Sequence, residues 1–423
     1  MTPAAQAQQL LQQGRIKEAE QAFQRVLETD PQHIQALNVV ALAAFRNGQL
    51  QHARELLERA CVANADDAIT QHHLGLVLEA AGNFSAAVDA QRKAIELAPQ
   101  LHVARLYLGR LLEQTGLPDE ALIAYGRALK GAQDQGRWVN AATTPPALQP
   151  LVERAVILVR DGRRELFTRV FGPIVAKYGR DSVTRVEQSL RIYLGEEAAV
   201  YPDPRQQPSF LFCPGLPTSA YIPRNMFPWI DTLEQATAAI RDELTALLPS
   251  AHGRERVFTS EALEEANLRG LDVAPSWNGY YFYRHGERRE ENCVRCPRTT
   301  AAIDAVPLAR VREHAPEVLY SVFTPGTHLL PHRGVTNTRL VAHLPLMVPE
   351  DCALNVGGEV HAWQEGRVVV FDDTYEHEAW NRSKKTRVVL IFDLWSPYLS
   401  EAERAAFADL IGTMGDFRRS MDS

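Results

Sequence analysis

Two rhythms of apolar and polar residues divide the chain. As far as about residue 194, apolar residues recur at the spacing of one helix face. The opening MTPAAQAQQLLQQGRIKEAE reads as an amphipathic helix, and Leu151 to about Leu194, with LVERAVILVRDG and LFTRVFGPIVAKYG, reads as helix again. Residues 140–150, NAATTPPALQP, are polar with three prolines and mark a boundary. From about Pro202 the rhythm shortens. FLFCPGLP (Phe210–Pro217) reads as a strand and turn, and Phe227–Leu248 as one amphipathic helix. Then come WNGYYFYRHG, VLYSVFTPGTH, TRLVAHLPLMV, GRVVVFDD and RVVLIFDLW, short runs between turn residues. Such a series predicts a barrel or sandwich, here a jelly-roll barrel with helices packed outside.

The first part also repeats. Gly14, Gly48, Gly82 and Gly116 stand 34 residues apart, as do Ala19, Ala53, Ala87 and Ala121. Ala7, Ala41, Gly75 and Gly109 keep that period, as do Val26, Ala60, Ala94 and Ala128; Pro31 and Pro99 agree, with Ala65 between them. Small residues at fixed places let paired helices approach closely. The glycine column supplies the left-handed residue that ends the first helix of each pair, and the proline column ends the second. Residues 1–133 thus resemble tetratricopeptide repeats, which stack into a solenoid with a concave groove. That predicts docking of a protein or peptide, against the plainer reading of a spacer or dimerisation arm. His72 and His73 lie on a repeat helix and read as surface or packing residues. The expected domains are repeats at 1–133, a helical connector at 134–200 and a jelly-roll domain at 201–423.

Composition adds limits. At 423 residues the chain fits two or three domains on a prior of roughly 100–200 residues each. A net charge of −7 argues against a nucleic-acid partner. No apolar run approaches the ~20 residues of a membrane span, and the N-terminus lacks the features of a signal peptide. A cytoplasmic location is expected. Five cysteines, with Cys293 and Cys296 as the one C-x-x-C, predict reduced thiols rather than a disulfide framework or a zinc site.

The candidate chemistry lies between Pro331 and Arg387. His332 sits before the turn at Gly334, His377 follows 45 positions later after VVVF, and Arg387 comes ten residues on. His328 is four residues before His332, but Pro331 and Gly334 argue against a helical H-x-x-x-H pair. Two imidazoles with open positions suit a non-haem Fe(II) site, with Asp372, Asp373 or water as third ligand. In RVVLIFDLW, Arg387 shares a face with Val389 and Ile391. An inward arginine needs an anion, and a dicarboxylic cosubstrate offers two parallel hydrogen bonds. Asn337, Arg339, Val341 and His343 share another face, which brings two more basic groups to the same mouth.

The strings PGTHLLPHRGVTNTRLVAHLPL and FDDTYEHEAWNRSKKTR, within about Arg205–Pro397, resemble the aspartyl/asparaginyl β-hydroxylase family of 2-oxoglutarate-dependent oxygenases. The resemblance implies Fe(II) held by His332 and His377 alone, with Gly334 standing where the usual carboxylate would be and Asp372 and Asp373 released as ligands. It implies that Arg387 and Ser321 hold the distal carboxylate of 2-oxoglutarate, that His343 lies near its chelating end, and that Trp277 lines its pocket. Some members carry an arginine at the position of Val341; Arg339, on the same face, is the expected substitute. The implied reaction consumes 2-oxoglutarate and O2 and hydroxylates the β-carbon of Asp or Asn in a protein or peptide delivered by the repeats. The competing expectations are the same chemistry on a lipid acyl chain or free amino acid, and a non-enzymatic repeat adaptor with a degenerate barrel.

Overall fold

The computed structural model describes residues 2–249, 253–271 and 274–422. The chain divides into two compact units, Met1–Leu166 with Phe417–Ser423, and Phe167–Asp416.

The first unit opens with four helical hairpins. They are Pro3–Gln12 with Ile16–Thr29, Ile34–Arg46 with Leu50–Ala63, Ala68–Ala80 with Phe84–Leu97, and His102–Gln114 with Pro118–Gln133. Gly14, Gly48, Gly82 and Gly116 end the first helix of each pair with φ between +74° and +77°, a conformation that costs glycine no Cβ clash. The small-residue column sets how closely the helices approach. A Cβ on Gly75 would lie 2.5 Å from Gln91, and one on Gly109 would lie 2.5 Å from the Tyr125 ring. His72 is buried against Gln91, its Nδ1 2.9 Å from Oε1, and His73 Nδ1 lies 2.7 Å from Asn38 Oδ1. Both are packing histidines.

The second unit is built on two antiparallel sheets. The larger runs Arg254–Arg256, Trp277–Arg284, Val318–Phe323, Arg387–Trp395, Arg339–Met347, Val369–Phe371, with Glu287–Arg288 paired to Trp277–Arg284. The smaller runs Leu268–Arg269, His328–His332, His377–Asn381, Cys352–Val356, Glu359–Ala362. Counted from Val318, eight strands pair in the orders first–eighth–third–sixth and second–seventh–fourth–fifth, the connectivity of a jelly roll.

The strand Arg387–Trp395 shows why its sequence is apolar throughout. Val388, Leu390, Phe392 and Leu394 pack towards the helices Ile230–Gln235, Thr237–Leu247 and Pro297–Asp304. Val389 and Ile391 face the other way, into the space between the sheets, with Phe323, Leu329, Phe371 and Val356. Both faces of the strand are covered, so alternation is lost.

Two expected elements differ. Phe227–Leu248 is two helices, Ile230–Gln235 and Thr237–Leu247, because the Ala236 N–H bonds to Leu233 O in a tightened turn that closes the first. The apolar spacing runs through that turn, so the sequence reads as one helix. Phe210–Pro217 contributes one bridge, Leu211 to Thr336, and no strand. Pro214 and Pro217 have no N–H to give a ladder.

Candidate active site

His332 ends one strand of the smaller sheet and His377 begins its neighbour, and the two are direct cross-strand partners. Their rings lie 4.1 Å apart between centroids, tilted by 51°. The pairing contains a register shift: Leu329 to His332 spans three residues opposite the two from Ala379 to His377. The extra residue is a bulge, which re-aims the strand. Leu329 and His332 thereby both turn inward, while His328 turns outward and bonds Glu378 Oε2 at 2.7 Å.

Each imidazole is held by its own strand. His332 Nδ1 is 2.8 Å from Leu330 O, and His377 Nδ1 is 3.0 Å from Tyr375 O. A carbonyl accepts only, so each Nδ1 carries the proton and each Nε2 keeps its lone pair, the arrangement of a metal-binding histidine. Burial, and for His332 the neighbouring His377, push both pKa values down, His332 to about 4. Both rings are neutral at ordinary pH.

Gly334 N–H donates to Asp373 O at 2.6 Å. A Cβ on Gly334 would fall 2.1–2.3 Å from the Asp373 carboxyl atoms. The position has no room for a side chain. Asp373 in turn accepts from Arg339 Nη2 at 3.1 Å, and Arg339 Nη1 donates to Asp393 Oδ2 at 2.9 Å. Burial raises Asp373 to about 6, with Arg339 pulling the other way. Asp372 accepts from Thr374 and Gln206. Among the described residues no three His, Cys, Asp or Glu side chains gather as a metal cage.

Arg339 meets a carboxylate through each of its terminal nitrogens, so it braces the loop before His377 against the strand Arg387–Trp395. Val341 joins the apolar cluster between the sheets, opposite Phe371.

Arg387 is 1% exposed. Its guanidinium lies 3.8 Å from the centre of the Phe323 ring and 4.7 Å from that of Trp363. Arg387 Nη1 donates to Ser321 Oγ at 3.3 Å, and Ser321 Oγ also accepts from Trp277 Nε1 at 2.9 Å. No carboxylate pairs with Arg387 among the described residues, and burial lowers its pKa to about 9. His343 is buried, and burial, then Arg387, then His377, hold its pKa well below the usual imidazole range. Four buried nitrogens of these residues lack a hydrogen-bond partner among the described residues: Arg387 Nε, Trp363 Nε1, His343 Nδ1 and Arg339 Nε. Such groups are costly unless a ligand meets them.

The structure thus brings His332, His377, Arg387, Ser321, Trp277 and His343 to the inner faces of the two sheets. Sequence reasoning missed Phe323 and Trp363. Phe323 carries a signal, lying two residues after Ser321 on the same strand face. Trp363, in a loop, carries none.

Residues 234–397 match the family described as Aspartyl/Asparaginyl beta-hydroxylase. Residues 4–68 and 73–137 match the Tetratricopeptide repeat. The chain is 36% identical over 179 residues to an ornithine lipid ester-linked acyl 2-hydroxylase of Rhizobium tropici, covering 42% of this chain and 60% of that protein. It is 34% identical over 176 residues to the aspartyl/asparaginyl beta-hydroxylase of Homo sapiens, covering 41% of this chain and 22% of that one. It is 30% identical over 237 residues to aspartate beta-hydroxylase domain-containing protein 2 of Xenopus tropicalis, covering 54% and 61%. The chain spans less than two thirds of each relative's length. No helix among the described residues is long and apolar enough to cross a membrane. Behind tetratricopeptide repeats, the chain carries a domain of the aspartyl/asparaginyl β-hydroxylase family.

Proposed function

We propose that this protein is a 2-oxoglutarate- and Fe(II)-dependent hydroxylase of the β-carbon of Asp or Asn side chains, in a protein or peptide recruited by its repeats. The observation that carries the reading is Arg387. A guanidinium buried between two aromatic rings without a carboxylate partner calls for an anionic ligand. The two imidazoles nearby offer lone pairs to a metal, so the donor set fits iron with a chelating oxo-acid.

In this reading His332 and His377 hold the iron through Nε2. Arg387 and Ser321 hold the distal carboxylate of 2-oxoglutarate, and Trp277 orients Ser321. His343, buried beside Phe371 and Trp363, would stand near the chelating end. When bound there, iron and 2-oxoglutarate would supply the oxidation of C–H to C–OH by O2, with succinate and CO2 released. The chain's part is to fix these groups, orient the substrate and exclude water. The hydroxylase relatives and the repeats support a protein substrate. The similarity to a lipid acyl hydroxylase supports the same chemistry on a lipid as a second reading.

The test incubates the full chain with Fe(II), 2-oxoglutarate, O2 and a library of aspartyl and asparaginyl peptides. Expected are succinate release matched by peptides heavier by one oxygen atom. Succinate with every peptide unmodified would move the search to lipid and amino-acid substrates. No succinate under any condition would contradict the enzyme reading.

A further inference from the structure

An open cavity of about 610 Å³ lies beside His332, lined among others by Tyr201, Gln207, Ser209, Arg333 and Glu376. Its size is in the range that takes small molecules or one or two residues of a peptide. Arg333 directly follows His332, and Glu376 directly precedes His377. Their charged ends stand 3.5 Å apart, with side chains 37% and 57% exposed. That is a long, wet ion pair, of the kind that contributes little and opens easily. Nearby charges are engaged elsewhere: Asp373 with Arg339, Glu378 with His328, Arg205 with Asp203.

We propose that Arg333 and Glu376 are the substrate-reading pair of this site and that they select a zwitterionic aspartyl group. Arg333 takes the carboxylate, and Glu376 takes an ammonium on the same residue or the next. This rests on the hydroxylase reading and names its substrate class. Charge balance sets the selection. A carboxylate that displaces Glu376 from Arg333 arrives beside the Glu376 carboxylate, and like charges repel. A substrate that also brings a cation satisfies both partners at once. An uncharged amide or acyl group separates the pair and returns nothing to either. Free aspartate meets the requirement, and so does an aspartyl residue followed by lysine in a peptide.

The test is calorimetric binding to the full chain, without oxygen so that nothing turns over. The probes are L-aspartate and end-blocked peptides containing Asp-Lys, Asn-Lys or Asp-Gln. Expected is binding of aspartate, of the Asp-Lys peptide or of both, with Asn-Lys and Asp-Gln at least ~10-fold weaker, the usual scale for losing one charged partner. Arg333→Gln then ceases to distinguish Asp-Lys from Asn-Lys, and Glu376→Gln ceases to distinguish Asp-Lys from Asp-Gln, in variants whose melting is unchanged. Aspartate alone binding, and weakened by both Arg333→Gln and Glu376→Gln, assigns the pair to a free amino acid, whereas aspartate binding indifferent to both variants overturns the proposal; the Asp-Lys peptide alone binding assigns the pair to a protein. Equal affinity for all three peptides, variants that keep wild-type discrimination, or no binding of any probe would overturn the proposal. The iron–2-oxoglutarate complex is followed separately by its absorption. A wild-type chain that forms that complex but does not discriminate among the probes removes this inference and leaves the hydroxylase reading standing. Absence of that complex removes the hydroxylase reading, whatever the probes do.

Discussion

Gly334 shows how one missing side chain shapes the site. A side chain has no room at this position, two residues after His332, because the Asp373 carboxyl already lies 2.1–2.3 Å from where a Cβ would be. Gly334→Ala is expected to lose about 1–3 kcal/mol of stability through overpacking and to hold Fe(II) less tightly, read by denaturant melts and metal titration. A variant as stable and as tight as the parent would mean that Asp373 moves freely. Gly334→Asp is likewise expected to weaken metal binding rather than restore a third ligand. The histidines set a pH dependence. His332 is lowered from the usual 6.5 to about 4 by burial and by His377. Between those values the unfolded chain binds a proton that the folded chain refuses. This contribution to stability is full above pH 6.5 and is lost as pH falls towards 4. Denaturant midpoints of the metal-free protein should therefore fall across that window, and less steeply in His332→Gln; equal slopes would contradict the assignment.

At the scale of elements, the site depends on how strands are aimed and tied. The turn between His377–Asn381 and Arg387–Trp395 is pinned by Asn381, whose Nδ2 donates to Phe323 O, Thr324 O and Lys385 O at 3.3, 3.0 and 2.8 Å. Asn381→Ala strips these carbonyls in a buried place. The expected cost is about 1–3 kcal/mol, with weaker 2-oxoglutarate binding because Arg387 loses its anchor; an unchanged dissociation constant would show that the turn holds without it. His332, His377 and Arg387 each carry a local signal: a histidine before a glycine turn, a histidine after an apolar run, and an arginine opening an apolar strand. The jelly roll was legible as a series of short runs. The bulge that turns His332 inward and His328 outward was not, because bulges arise from pairing between strands distant in sequence. Nor was the ion-pair cluster of Arg339, whose partners Asp373 and Asp393 lie on two other elements. Trp363 had no pattern around it, and the break at Ala236 left the helical spacing intact.

For the whole molecule, the repeats were the most legible part, because a 34-residue period needs no knowledge of distant contacts. Their columns also make a control. Gly109→Val places side-chain atoms where a Cβ alone is 2.5 Å from Tyr125, so the helical signal should melt earlier by an amount worth about 1–3 kcal/mol, while iron and 2-oxoglutarate bind as before. A loss of cofactor binding in that variant would tie the site to the repeats. The central claim is that His332, His377 and Arg387 form one cofactor site, and an anaerobic titration of the metal-free protein with Fe(II) and 2-oxoglutarate tests it most directly. The account predicts a visible charge-transfer band that His332→Ala abolishes. It predicts that Arg387→Ala weakens 2-oxoglutarate about a hundredfold or more, the ~3 kcal/mol of a lost buried ion pair. A folded wild-type protein with no band, or a band indifferent to both substitutions, would contradict it.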